Sequence, residues 1–226
     1  MISGVTVEAG PEAVWVRSAA PLRVLSSAVT GGGLGAARVI VNMHVPKGYR
    51  CGDPGGDLVA FARRSGIDEP FVGLMTAAWT HEAVTVADAA DGVSVVVVAT
   101  VGLGGAIAAG RSGVAAWAPS TINVIAIVDA RLEPAAAVNG VATVTEAKVA
   151  ALADAGVRTG DGLPATGTLT DAVVLAWTGR GVTLPYLGPA APGGWLLARA
   201  ARTAVGRGLA RDGRSDRSVE PGAAPT

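Results

Sequence analysis

The chain has 226 residues, half of them hydrophobic and 16% charged, with 18 basic and 18 acidic side chains. That length can bury a sizeable core, and the zero formal charge leaves no electrostatic footprint for a nucleic acid. A single cysteine, Cys51, excludes an internal disulfide, and two histidines beside it make a poor metal inventory.

Nothing in MISGVTVEAGPEAVWV has the basic start and apolar run of an export signal, so a cytoplasmic protein is expected. Strands are predicted at 13–18, 22–29, 37–45, 70–77, 83–88, 93–101, 122–129 and 171–177. Each is β-branched or continuously apolar and bounded by Gly, Pro or Asp. The uncharged stretch VSVVVVATVGLGGAIAAG (93–110) barely reaches the ~18–20 residues of a membrane-spanning helix. Its β-branched first half and central GLGG read as a buried strand running into a glycine loop. Helices are predicted at 56–66, 133–156 and 194–205. Residues 206–226 lack apolar periodicity and read as a disordered tail after a single domain, 1–205. Strands that outnumber helices and do not alternate with them point to an α+β fold: mixed sheet layered with a few helices, the long one at 133–156 included.

On that long helix, at about 100° per residue, Val138, Ala142, Thr145, Val149 and Leu152 form the expected core stripe. Asn139, Thr143 and Glu146 form a polar stripe beside it, which is either a solvated edge or part of a site. Lys148 falls about 160° from Glu146, so those two are no natural ion pair. Downstream, ATGTLTD (165–171) sets Thr166, Thr168 and Thr170 on one face of an extended segment, directly before the apolar run VVLAW. Their hydroxyls either satisfy a local turn or line a site. The link VRTGDGLP (157–164) is short enough for the comb to fold back on the Asn139, Thr143, Glu146 edge.

The segments PSTINVIAIVDARL (119–132), AVNGVATVTEAKVAALADAGV (137–157) and ATGTLTDAVVLA (165–176) resemble the signature region of the adenosylcobinamide amidohydrolase family. SSAVTGGGL (26–34), VNMHVPKGY (41–49), DPGGDLVAFARRSGI (53–67), VGLMTAA (72–78), TVGLGGAIAAG (100–110) and YLGPAAPGGWLLARAARTAV (186–205) stand in the expected order, so the resemblance covers nearly all of the chain between its termini. It departs at Trp117-Ala118-Pro119-Ser120 and at Cys51-Gly52, which bears on substrate preference. The resemblance implies cleavage of the amide between the aminopropanol arm and the corrinoid ring of adenosylcobinamide, giving adenosylcobyric acid and aminopropanol in corrinoid salvage or remodelling. The corrinoid is substrate, the sequence shows no required cofactor and leaves the use of a divalent metal open, and a homodimer is an open arrangement.

Amide hydrolysis needs a nucleophile, donors for the oxyanion and an acid for the departing amine. Glu146 in T-E-A-K is the expected base, Asp171 the second carboxylate and Thr168 the candidate nucleophile. Asn123, Asn139, Thr143, Thr166, Thr170 and Lys148 are the expected substrate contacts. A corrinoid is broad, so its site must be a wide cleft, and glycine clusters at 30–35 and 101–110 allow close backbone approach. His44, His81 and Cys51 match no carried-over motif and are expected to lie outside the chemistry. Two other readings are a non-catalytic corrinoid-binding module and a dinucleotide-binding enzyme. The second rests on GGGLGA (31–36), which needs a helix after it, whereas ARVIVNMHV reads as strand.

Overall fold

The computed structural model describes residues 1–50, 52–114 and 121–215. Along the chain these form β1 (Val5–Ala9), β2 (Ala13–Ser26), β3 (Gly33–His44), α1 (Pro54–Arg64), β4 (Phe71–Thr76), β5 (Val84–Ala90), β6 (Val93–Val101) and β7 (Ala106–Ile107). There follow β8 (Ile122–Asp129), β9 (Arg131–Leu132), α2 (Pro134–Asp154), β10 (Gly167–Thr168), β11 (Ala172–Trp177), β12 (Thr183–Leu184) and α3 (Pro192–Ser215). The class is α+β: one eight-stranded sheet runs β4-β3-β2-β11-β8-β6-β5, with β1 added on β2. β3 with β4 and β11 with β8 run parallel, and the other pairs along the sheet run antiparallel.

Local chemistry explains the elements. β5 and β6 are joined by Asp91-Gly92, with φ of 51° and 77°, the left-handed pair that a two-residue hairpin turn requires. α1 starts at Pro54, and the Asp53 carboxylate accepts from the Gly56 N–H at 2.9 Å, a side-chain N-cap. β3 begins inside GGGLGA, so the glycine motif feeds a strand and its dinucleotide-binding reading fails on context. Likewise, 93–101 is strand β6, and among the described residues no helix is long and apolar enough to cross a membrane.

α2 and α3 pack on one face of the sheet over Val95, Val97, Val124, Ala126, Val173 and Leu175. The opposite face closes on itself around Val14, Val16, Val24, Ile40, Leu74, Val96, Val98, Ile125 and Val174, so the sheet is strongly curled. Two expectations need correction here. Of the core stripe expected on α2 only Leu152 is buried: Val138 is 63% exposed, while Ala136, Ala137, Gly140, Thr143, Val144, Ala147, Lys148 and Ala151 are buried with Leu152. Small residues win because the partners come close. A Cβ at Gly140 would stand 2.7 Å from Leu175 and 2.8 Å from Leu187. Residues 206–215, expected as tail, are the last turns of α3. Leu209 lies in the core and Asp212 accepts from the Leu103 N–H at 3.3 Å. Their small and basic residues hid a helix that tertiary contact stabilises. The rest of the expected tail, 216–226, lies outside the described residues.

Candidate active site

Three strands each bury a polar side chain among apolar neighbours: Asn42 in β3, Thr100 in β6 and Asn123 in β8. The curl of the sheet brings them together although β2 and β11 stand between β3 and β8. Asn42 Nδ2 donates to Thr100 Oγ1 at 2.9 Å. Asn123 Nδ2 donates to Asn42 Oδ1 at 2.9 Å and to the Met75 carbonyl at 2.8 Å. Both amide hydrogens of Asn123 are thereby committed. The Thr121 hydroxyl lies 2.9 Å from Asn123 Oδ1 and 2.8 Å from the Thr170 carbonyl. Its one hydrogen is held between two acceptors. Asn42, Thr100, Thr121 and Asn123 are all 2% exposed or less, so the network is a low-dielectric one in which each satisfied bond is strengthened.

Thr121 and Asn123 of this network line a cavity of roughly 350 Å³, and Asn42 and Thr100 support them from behind. Thr76, Thr121, Asn123 and Thr170 reach it from strand ends, Ser27 and Val29 from the segment after β2, and Val45, Tyr49 and Pro54 from the connection into α1. The Tyr49 hydroxyl donates to Asp57 Oδ2 at 2.7 Å. The opening thus combines an apolar rim with a polar floor, the usual make-up of a small-molecule site.

Beside the floor sits an ion pair between Lys148 of α2 and Asp171, whose side chains are only 8% and 12% exposed. Asp171 Oδ1 accepts from the Ile122 N–H at 2.9 Å and from the Thr168 hydroxyl. Asp171 Oδ2 accepts from the Thr168 N–H at 3.1 Å and from Lys148 Nζ. A carboxylate with four donors is an anchor: it ties α2, the turn before β11 and the first residue of β8 into one unit. A Cβ at Gly167 would lie 2.5 Å from Asp171 Oδ2 and 2.8 Å from Lys148 Nζ, so a side chain there would have to displace the pair.

The structure therefore brings together Lys148, Thr168 and Asp171, and places Asn123 and Thr170 at the cavity. The other expected contacts lie apart. Thr143 is buried against α3's approach, its hydroxyl donating to the Leu187 carbonyl at 2.9 Å. Thr166 accepts from the Ala109 N–H at 2.9 Å, 57 residues away in sequence, so its hydroxyl ties the comb to the glycine loop after β6 and does not close a local turn. α2 meets the comb through Lys148. At 100° per residue Asn139 is diametrically opposite Lys148 and Glu146 is about 160° away, and Glu146 is exposed. The expected wall of Asn139, Thr143 and Glu146 is thus replaced by Lys148: burial of the small-residue stripe takes Thr143 inward, leaves Asn139 half-buried and turns Glu146 to the surface. Asn42, Thr76, Thr100 and Thr121 were missed. A lone polar residue inside an apolar strand was the available signal, since burying it demands a partner. Among the described residues no three His, Cys, Asp or Glu side chains gather as a metal site would require. Cys51 and the departure at 117–120 lie outside the described residues.

Comparison with known proteins gives one family: residues 2–217 match that described as adenosylcobinamide amidohydrolase. A protein of Halobacterium salinarum with the same description is 41% identical over 106 residues, which are 46% of this chain and 43% of that protein. The aligned stretch spans less than half the length of that relative. Among solved structures, the PH0078 protein from Pyrococcus horikoshii OT3 superposes with a TM-score of 0.49 and 10% identity over 93% of this chain and 80% of its own. The L-aminopeptidase D-Ala-esterase/amidase from Ochrobactrum anthropi gives 0.40 and 11% over 92% and 83%. Both scores are too low to carry an argument.

Proposed function

We propose, from the premise that this chain belongs to the adenosylcobinamide amidohydrolase family, that it hydrolyses the amide joining the aminopropanol arm to the corrinoid ring. The products would be adenosylcobyric acid and aminopropanol, a step suited to salvage or remodelling of incomplete corrinoids. One observation carries this reading: polar residues from separate family segments, Ser27, Thr76, Thr121, Asn123 and Thr170, converge on a single cavity. Its roughly 350 Å³ suits a side arm and leaves the macrocycle outside.

An amide carbon is a poor electrophile, so the attacking oxygen must be held in line and its proton already engaged. Thr121 fits that need better than Thr168. Both hydroxyls have engaged protons, but Thr121 lines the cavity and Thr168 is not among the residues that line it. In the proposed course Thr121 Oγ1 bonds to the carbonyl carbon, the C–N bond breaks, and the threonine proton leaves with the amine. Water then adds to the resulting ester, its oxygen staying on the carboxylic acid and one proton restoring the hydroxyl. Asn42 and Asn123 fix Thr121, and the Lys148–Asp171–Thr168 unit holds the backbone of the next residue, Ile122. Glu146 takes no part.

Incubation with adenosylcobinamide in water labelled with ¹⁸O, followed by mass spectrometry, tests the reading. Release of aminopropanol with one labelled oxygen in the corrinoid acid is the expected result. Binding of the corrinoid without release would make the chain a binding module.

A further inference from the structure

A cavity of roughly 350 Å³ that accepts the arm leaves most of a corrinoid outside its mouth. Val45 and Ala77 line the cavity, and an aromatic cluster begins right beside them. His44 precedes Val45, and Trp79 lies two residues beyond Ala77. β3 and β4 end side by side here, with His44 paired to Thr76. The His44 and Trp79 rings stack with centroids 4.8 Å apart and planes at 21°. His81 stands 5.6 Å from Trp79 on a tilted plane. His44 Nδ1 lies 3.0 Å from the Ala78 carbonyl, so it carries a hydrogen and the bond fixes the ring. Trp79 is nevertheless 51% exposed.

An indole held rigid by its neighbour and still open to solvent is a preformed stacking surface. Little side-chain freedom remains to be lost when a flat ligand arrives. We propose that Trp79, backed by His44, receives the adenine of the substrate's adenosyl group while the aminopropanol arm enters the cavity. This rests on the function proposed above. The corrin ring fits the role less well, because both its faces carry pendant chains and methyl groups. A purine presents a bare π-face, and base–aromatic stacking is worth ~1–3 kcal/mol.

The test compares adenosylcobinamide with cyanocobinamide, which has no adenine, in equilibrium binding kept in the dark to preserve the cobalt–carbon bond. Trp79→Ala is expected to weaken binding of the adenosyl form about tenfold more than binding of the cyano form. Trp79→Phe should recover most of the difference. Equal weakening of both forms would assign the platform to the macrocycle and overturn the proposal, as would no change in either. Because the readout is binding, it is separate from turnover. A wild-type chain that binds both corrinoids and releases no aminopropanol would remove the hydrolytic reading, while the adenosyl-to-cyano ratio would still decide the role of Trp79.

Discussion

Lys148→Met removes one half of the ion pair beside the cavity while keeping the length of the side chain. The two partners are only 8% and 12% exposed, so this is a buried pair, and breaking such a pair costs about 3–5 kcal/mol. Asp171 keeps the Ile122 N–H, the Thr168 N–H and the Thr168 hydroxyl, which holds the loss to the lower end, about 3 kcal/mol. For a chain of this size that lowers the melting temperature by about 6–12 °C. Asp171→Asn should cost more, because it strands a buried ammonium and turns amide hydrogens toward groups that are themselves donors. Urea unfolding is the assay, with the slope unchanged and the midpoint shifted. The double variant should be less damaged than the sum of the two by more than about 1 kcal/mol. A loss below about 1 kcal/mol for Lys148→Met, with no coupling, is what a solvated surface pair would give, and it would refute the account of the anchor.

Truncation after Val205 removes Leu209, which is 6% exposed, and should cost about 2–3 kcal/mol, read as a lower urea midpoint. Gly194→Ala would set a Cβ 1.8 Å from the Gly188 carbonyl oxygen. Backbone cannot yield as a side-chain tip can, so this variant should lose cooperative unfolding or soluble yield, while Gly206→Ala, with nothing within 4 Å, should fold normally. Glu146→Gln should keep kcat/KM within about twofold, since an exposed group away from the cavity is not expected to exceed the small effects of surface changes.

Much of the fold was legible because strand signals are local. β6, β8 and β11 are dominated by β-branched and apolar residues, and no competing helical period runs through them. β1, VTVEA, was missed because its exposed residues include two charged or polar ones within five. The helix faces were harder. Hydrophobic size pointed to Val138 and Val149, but packing distance decides which face is buried, and only the assembled sheet sets that distance. Asp171, Thr168 and Lys148 share one unit although Lys148 is 23 residues from Asp171. Spacing along α2 could say that Lys148 and Glu146 diverge, and could not say which of them the comb would meet. Asn42, Thr100 and Asn123 lie as far as 81 residues apart, and a curled sheet joins them by a route no sequence period encodes.

The most direct measurement follows aminopropanol release from adenosylcobinamide by the wild-type chain beside Thr121→Val and Glu146→Gln, each first shown to be folded. The account predicts release by the wild type and by Glu146→Gln at comparable rates, and a fall of at least about 10³-fold for Thr121→Val, as loss of an attacking group gives. Undiminished release by Thr121→Val, or its loss in Glu146→Gln alone, would contradict placing the chemistry at the cavity formed by the strand ends.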